Sequence, residues 1–307
     1  MAGTTVALGH VVLDEIRLAD GTALPPVVGG AGAYAAYGQA LVAPQVLLAS
    51  GVGEDFPARA DLALAGIDSA ALAALDPHTP RTRIQYFTDG EREETPEFGL
   101  DHFRRLDPAV WMLPESADPI ALYVFDEISP DLFTDIAELR RRTGCAVLWE
   151  LHAGVCTPEQ LPAVRAQAAG VDILSLNRTE ARGLCGTDDL ERCLAELADI
   201  VPTVALRLGA EGALVVHDGE TVSARPPAGP VVDPTGAGNA FSGAFVASWA
   251  VAGRDAEAAL RDAMGASALT IRQYGPPPVD AALREEHRRI AASIDVTTPQ
   301  LQNGPSL

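Results

Sequence analysis

Val231-Val232-Asp233-Pro234-Thr235-Gly236-Ala237-Gly238-Asn239-Ala240-Phe241-Ser242-Gly243-Ala244-Phe245 is the stretch whose reading decides the fold. It reads as a strand end, a proline-directed turn and three small residues that open an apolar helix. Pro234 has no N–H and cannot continue a ladder, so it marks the turn. Gly236 and Gly238 lack a Cβ and would let a ligand approach the main chain. A helix over residues 239–252 would begin with several N–H groups that have no intrahelical partner. With the helix dipole they make an anion site of the kind that seats a phosphate. Asn239, in the first turn, would point its side chain at whatever those amides hold. A plain turn with an Asn cap would use the same residues, so the reading needs support from the rest of the chain.

Composition narrows the classes. With 307 residues, 48% of them hydrophobic, the chain can bury a sizeable core as one large α/β domain or two small ones. A formal charge of −20 and a pI near 4.5 argue against nucleic acid and against anionic membrane surfaces as partners. No apolar run approaches the roughly 20 residues of a membrane span. The stretch Met1 to Val6 has no basic region or signal-like apolar run, and a cytoplasmic location is expected. Cys145, Cys156, Cys185 and Cys193 form no Cys-x-x-Cys, so buried reduced thiols are expected. All 22 basic residues are arginine. The absence of lysine excludes phosphate-loop NTPases, protein kinases and Schiff-base enzymes, each of which needs one. A nucleotide enzyme of this composition would handle phosphates with main-chain amides, arginine and Mg²⁺.

Taken in order, Thr4 to Leu8 is a β-rich run ending at Gly9-His10, with Asp14 close behind. His10 reads as a strand-end residue, and Asp14 alone could be a solvated turn acid. Residues 16–28 alternate loosely around Ala19-Asp20-Gly21, a hairpin signal. Gly30-x-Gly32-x-x-Ala35 could pass for a dinucleotide fingerprint. A hairpin rather than a core strand precedes it, and no clean βα unit with a ribose-binding acid follows, so that reading is rejected. Residues 57–75 read as an Ala/Leu-rich helix and loop, and 81–94 as a second hairpin turning at Thr88-Asp89-Gly90. From Ile120 onward strands and helices alternate in the rhythm of a parallel sheet, with strands at 120–125, 146–149 and 173–176 and helices at 130–142 and 158–169. Residues 203–208 and 213–217 flank the turn Gly209-Ala210-Glu211-Gly212. Residues 256–274 read as a helix, and a loose tail follows from Pro299.

The opening stretch resembles the C-terminal signature of the ribokinase-like (pfkB) family of small-molecule kinases, Asp-Thr-x-Gly-Ala-Gly-Asp. The resemblance runs from about Val6 to Tyr274 with the motifs in the family's order. It implies a three-layer αβα fold with a mainly parallel central sheet, one domain over 1–307, and a small β lid built from segments 11–29 and 82–99. In the family the amides of Gly236, Ala237 and Gly238 would form the anion hole, and the last position would carry the base that takes the substrate proton. Here that position is Asn239, which cannot act as a base near pH 7. Asp14 matches the Asp that binds substrate hydroxyls. Gly29 and Gly30 match sugar-site glycines, and Tyr34 stands where the family has an Asn. That implies a flatter, more aromatic or smaller pocket.

Asn177-Arg178-Thr179-Glu180 resembles the family's Asn-x-x-Glu, in which the carboxylate holds metal-bound water by the nucleotide phosphates. By its residues alone, it could equally be an Asn cap with Glu180 closing a capping box. Gly209 and Gly212 match the family's nucleotide turn, with Arg207 in place of its Thr. Such an arginine could stack on adenine, pair with a phosphate or block the site. Residues 256–274 would close the adenine pocket. Trp149-Glu150 with Cys156-Thr157-Pro158-Glu159, and Asp-Pro-Thr-Gly-x-Gly-Asn, are similar to the Mak32-like branch. The resemblance implies an ATP- and Mg²⁺-dependent kinase acting on a sugar- or nucleoside-like substrate, possible as a homodimer through the lid. Asp14 or Glu150 could replace the missing base. A binding protein without turnover, or different chemistry on the same scaffold, is the alternative that Tyr34, Arg207 and Asn239 leave open.

Overall fold

Alternate residues along the central strands serve two separate cores. In β1 (Thr4–Leu8), Ala7 joins a buried cluster with Tyr37, Phe241 and Phe245, while Val6 and Leu8 join one with Phe133 and Ile136. A strand buried on both faces belongs inside a sheet covered by helices on each side. The computed structural model describes residues 3–57, 59–88 and 91–298. The Asp89-Gly90 turn and the tail from Pro299 lie outside these residues.

After β1 the chain forms β2 (Val12–Arg17), β3 (Val27–Gly29), α1 (Ala31–Val42), β4 (Val46–Gly53) and α2 (Arg59–Leu64). It continues through β5 (Ile67–Asp68), β6 (Leu72–Asp76), β7 (Arg81–Tyr86), β8 (Arg92–Pro96) and α3 (Leu100–Arg105). Next come β9 (Pro119–Asp126), α4 (Pro130–Thr143), β10 (Ala146–Leu151), α5 (Leu161–Gln167), β11 (Ile173–Asn177), α6 (Arg178–Cys185) and α7 (Leu190–Ala198). The last part is β12 (Thr203–Arg207), β13 (Ala213–His217), β14 (Glu220–Ala224), α8 (Ala237–Val251), α9 (Ala256–Thr270), α10 (Ala281–Ser293) and β15 (Val296–Thr297).

β1 lies between β4 and β9, parallel to both. Beyond β9 the sheet runs parallel through β10, β11 and β12, then antiparallel through β13, β14 and β15. At the other edge β5 and β6 pair with β4. The chain thus leaves β1 toward β4 on one side and returns through β9 on the other. That reversal makes a crevice at the carboxyl ends of the strands, where open α/β sheets take their ligands.

Helices α1, α8 and α9 cover one face, and α4 to α7 cover the other. This is the three-layer, mainly parallel arrangement expected. Helices α1 and α8 touch through their backbones. A methyl on Gly38 would come within 2.1 Å of the Ala240 carbonyl, and one on Gly243 within 2.1 Å of the Ala35 carbonyl.

A second sheet, ordered β3-β2-β7-β8, is built from the two expected lid segments. Each segment folds on itself antiparallel, and a parallel pairing of β2 with β7 joins them. Charged Arg92, Glu93 and Glu94, with Pro96, occupy its free β8 edge, a composition that discourages further pairing.

Some boundaries differ from the sequence reading. The helix expected over 158–169 is regular only over Leu161–Gln167, with single tight turns before and after it, because Pro158 and Pro162 remove amides from its start. Residues 57–75 hold two short strands besides a helix, and α9 stops at Thr270 rather than 274. Among the described residues no helix is long and apolar enough to cross a membrane.

Candidate active site

The turn before α8 is held by Asp233, whose side chain is 1% exposed. Its Oδ1 accepts from the Thr235 amide at 2.9 Å and from the Thr235 hydroxyl at 2.6 Å. Gly236 follows in the left-handed region, φ 74°, and α8 begins at Ala237. The open sides of both glycines face protein, which corrects the expectation that they clear a path for a ligand. A Cβ on Gly236 would stand 2.2 Å from the Tyr34 ring, and one on Gly238 2.1 Å from Arg207 Nη1. Asn239 donates from Nδ2 to the Tyr123 hydroxyl at 3.1 Å.

These residues open into a cavity of about 670 Å³ between the lid and the strand ends. Thr235 and Gly236 line it from the turn before α8, Asn239 and Tyr34 from α8 and α1, and His10, Phe125, Asp126 and His152 from the ends of β1, β9 and β10. Asp14, Ile84, Arg92 and Glu94 line it from the lid. Asp14 is only 5% exposed. Its Oδ2 sits 1.9 Å from where a Gly29 Cβ would be, so Gly29 makes room for the carboxylate while Gly30 lines the cavity itself. Burial first, then the nearby Glu94 and Asp233, raise the Asp14 pKa to about 7, against a lowering by Arg92. Burial also raises Asp126.

The lid is tied to the turn before α8. Tyr86 donates its hydroxyl to Asp233 Oδ1 at 2.7 Å. Arg92 reaches Thr235 Oγ1 and lies 3.5 Å from Asp233 Oδ1, while its Nε pairs with Glu94 at 2.9 Å. The Tyr86 ring meets Tyr274 edge-on with centroids 5.7 Å apart.

Beneath Gly238 lies a buried chain of polar groups. Tyr123 donates to Glu150 Oε2 at 3.0 Å, and Arg207 Nη1 pairs with Glu150 Oε1 at 2.5 Å. Arg207 Nη2 lies 3.4 Å from Glu180 Oε2. Burial opposes the Arg207 charge, yet Glu150 and Glu180 hold its pKa above the usual range. Burial raises Glu180, with Arg207 acting against the rise. Arg207 therefore neither stacks outward over the 209–212 turn nor lines the cavity; it pairs inward. Glu150, 3% exposed and engaged on both oxygens, is not placed to take a proton from a ligand.

The capping box left open by the sequence is present. Asn177 Oδ1 accepts from the Glu180 amide at 2.9 Å, and Glu180 Oε2 accepts from the Asn177 amide at 2.7 Å. Glu180 thus closes its own helix and faces a fixed guanidinium. These residues do not fit a protein-held Mg²⁺ at Glu180, and among the described residues no group of three or more His, Cys, Asp or Glu could hold a metal ion.

Gly209 and Gly212 both have positive φ, 61° and 104°. The turn between them borders a second cavity of about 560 Å³, lined by Leu208, Glu211, Ala224, Arg225, Pro226 and Ile294. Its far wall comes from residues 293–297.

Sequence reasoning missed Arg92, Glu94, Phe103, Phe125 and Asp126 as cavity residues and took His10 for a strand end alone. His10 is at a strand end and also lines the cavity, with Nε2 3.0 Å from Asp107 Oδ1. Five of these six gather at the carboxyl ends of β1 and β9 or on the free lid edge, positions that a topology would have flagged.

Comparison with known proteins agrees with this arrangement. The sequence profile described as pfkB family carbohydrate kinase matches residues 6–280. The cytidine kinase of Thermococcus kodakarensis is 26% identical over 278 residues, covering 88% of this chain and 96% of that protein. The crystal structure of adenosine kinase from Sinorhizobium meliloti superposes with a TM-score of 0.73 at 23% identity, over 93% of this chain and 98% of that one. Fructokinase from Vibrio cholerae O395, solved with fructose, ADP and calcium ion, gives 0.75 at 22% identity, over 92% and 98%. These likenesses show the ribokinase-like fold.

Proposed function

Because the chain belongs to the pfkB family of carbohydrate kinases, we propose that it transfers the γ-phosphoryl group of ATP to a hydroxyl of a small neutral molecule, a nucleoside or sugar, held beneath the lid. One observation carries this reading. The amide-rich start of α8 opens, at Thr235, Gly236 and Asn239, into the same cavity that Asp14 lines.

In the reaction the acceptor oxygen forms a bond to the γ-phosphorus, the bond to the ADP oxygen breaks, and the hydroxyl proton leaves. The amides of Gly236, Ala237 and Gly238 stabilise the charge on the transferred group. Asp14 orients the acceptor hydroxyl, and a carboxylate with a pKa of about 7 is suited to take its proton at neutral pH. Asn239 holds an oxygen in place but accepts no proton. A general base contributes about 10²–10⁴-fold, whereas phosphoryl transfer depends mostly on positioning and electrostatics, so the site works as a slow kinase. The lid keeps water from competing for the phosphoryl group. The nucleotide base occupies the second cavity by Gly209 and Gly212, with Asn177 at its phosphate side, and the divalent cation enters on the nucleotide. Residues 1–307 act as one cytoplasmic domain, with a homodimer formed through the lid.

Charge and shape narrow the acceptor. Carboxylates of Asp14, Glu94, Asp107, Asp126 and Glu127 line the cavity against the guanidinium groups of Arg92 and Arg104. This disfavours a phosphorylated or acidic sugar. The His10–Phe103 and Phe125–His152 pairs, each with centroids 5.7 Å apart, supply faces for a flat ring. A nucleoside fits both features.

The test is ADP release from Mg·ATP with cytidine, adenosine, ribose, fructose and fructose 6-phosphate. Nucleoside-dependent ADP is expected. ADP with fructose 6-phosphate alone would overturn the neutral acceptor. Mg·ATP binding without ADP for any acceptor would replace the kinase by a nucleotide-binding protein.

A further inference from the structure

Two glutamates on neighbouring strands and helices, both nearly buried, point at one place below the phosphate turn. Side chains of Glu150 and Glu180 are 4% and 12% exposed, and that of Arg207 between them is 13% exposed. Two carboxylates so close would repel each other unless a cation stood between them. In this chain the cation is covalent. Arg207 projects from the end of β12, opposite Asn177 on β11, and its Nη1 fills the space that the missing Cβ of Gly238 leaves open. The guanidinium is thus fixed on three sides, by Glu150, by Glu180 and by the first turn of α8.

We propose that Arg207 takes, between Glu150 and Glu180, the place of a divalent cation. It is a built-in positive charge beneath the anion turn, and the protein has no metal site of its own there. A guanidinium is suited to this because it stays charged when buried and offers a planar fork to two carboxylates, which an ammonium does not. The charge serves the phosphate groups at the helix start through the field it adds to the amides of Gly236 to Asn239. It acts as a positioning group, since it is turned inward and does not line the acceptor cavity. The nature of the anion rests on the kinase reading, but the cation's place does not, and its test needs no turnover.

The experiment is Mn²⁺ titration without nucleotide, read by the electron paramagnetic resonance of free Mn²⁺ and by thermal unfolding. Wild type is expected to take up no Mn²⁺ that Glu180→Gln would remove. Arg207→Ala is expected to lose stability, to recover part of it in Mn²⁺, and to bind Mn²⁺ about tenfold or more tighter than wild type, because a repelling charge has gone. Adding Glu180→Gln to Arg207→Ala should abolish that binding. If Arg207→Ala does not fold, Arg207→Gln keeps most of the volume and removes the charge. A wild-type Mn²⁺ site lost in Glu180→Gln would overturn the proposal, as would a folded Arg207 variant that gains no Mn²⁺. Failure of the ADP assay for every acceptor would sink the kinase reading and leave the Mn²⁺ result standing.

Discussion

Replacing Asp14 by Asn should make the protein more stable at alkaline pH and useless to its acceptor. The Asp14 carboxyl rises from its ordinary 3.8 to about 7 in the fold, chiefly through burial. A group whose folded pKa is raised holds its proton more tightly in the native state than in the unfolded chain. Its contribution is therefore full below the unfolded pKa and is lost as pH climbs through the folded one. At about 1.4 kcal/mol per pH unit, the loss between pH 3.8 and about 7 reaches a ceiling of about 4 kcal/mol. The side chain is 5% exposed, so solvent screening removes little of this. Urea unfolding of wild type and Asp14→Asn at a series of pH values between about 4 and 8 isolates the effect, because other titrations cancel in the difference. The variant should match wild type at the acid end and exceed it by up to about 4 kcal/mol at the alkaline end. Acceptor affinity should fall at every pH. A difference flat across the window would refute the buried-carboxylate argument, even if acceptor binding were lost.

Three further outcomes follow from the same contacts. Asn239→Asp supplies a carboxylate at the head of α8, in addition to Asp14 in the lid, and should raise kcat about tenfold; an unchanged kcat would show that residue 239 does not limit the rate. Gly238→Ala drives a methyl to within 2.1 Å of Arg207 Nη1. It should cost about 3 kcal/mol by displacing a buried ion pair, measured by denaturant unfolding, and should cost much less when combined with Arg207→Ser; full additivity would rule out that contact. Arg92→Ala, which cuts the partly exposed link from the lid to Thr235 and Asp233, should raise the acceptor KM about fivefold, equivalent to about 1 kcal/mol of lid closure. The KM for ATP should stay put, and equal rises in both would mean that Arg92 does not act through the lid.

What the sequence made legible was local. Period-2 and βαβ patterning placed the central strands, and Pro234, Gly236 and Gly238 marked the turn, because each depends on residues within a few positions. The site's long-range ties left no such mark. Tyr86 and Asp233 are 147 positions apart, and Arg207 and Glu150 are 57 apart. An ion pair between distant residues imposes no periodicity on either segment, so the place of Arg207 in a motif leaves stacking on adenine, pairing with a phosphate and blocking the site all open. Its partner charges turn it inward. Glu180 shows the reverse case, in which a four-residue spacing already contained the capping box that the fold uses. Gly29 and Gly238 looked like ligand clearances because glycine records only that something comes near. Here those neighbours are Asp14 and Arg207.

The backbone contact between α1 and α8 bears on how such a molecule can change over time. Tyr34 rides on one helix and Asn239 on the other, and neither helix can shift without prying apart Gly38 and Gly243 from the carbonyls they abut. The two therefore behave as one rigid frame. Substitutions in β2, β3, β7 and β8 can therefore change the cover of the cavity while that frame stays in place.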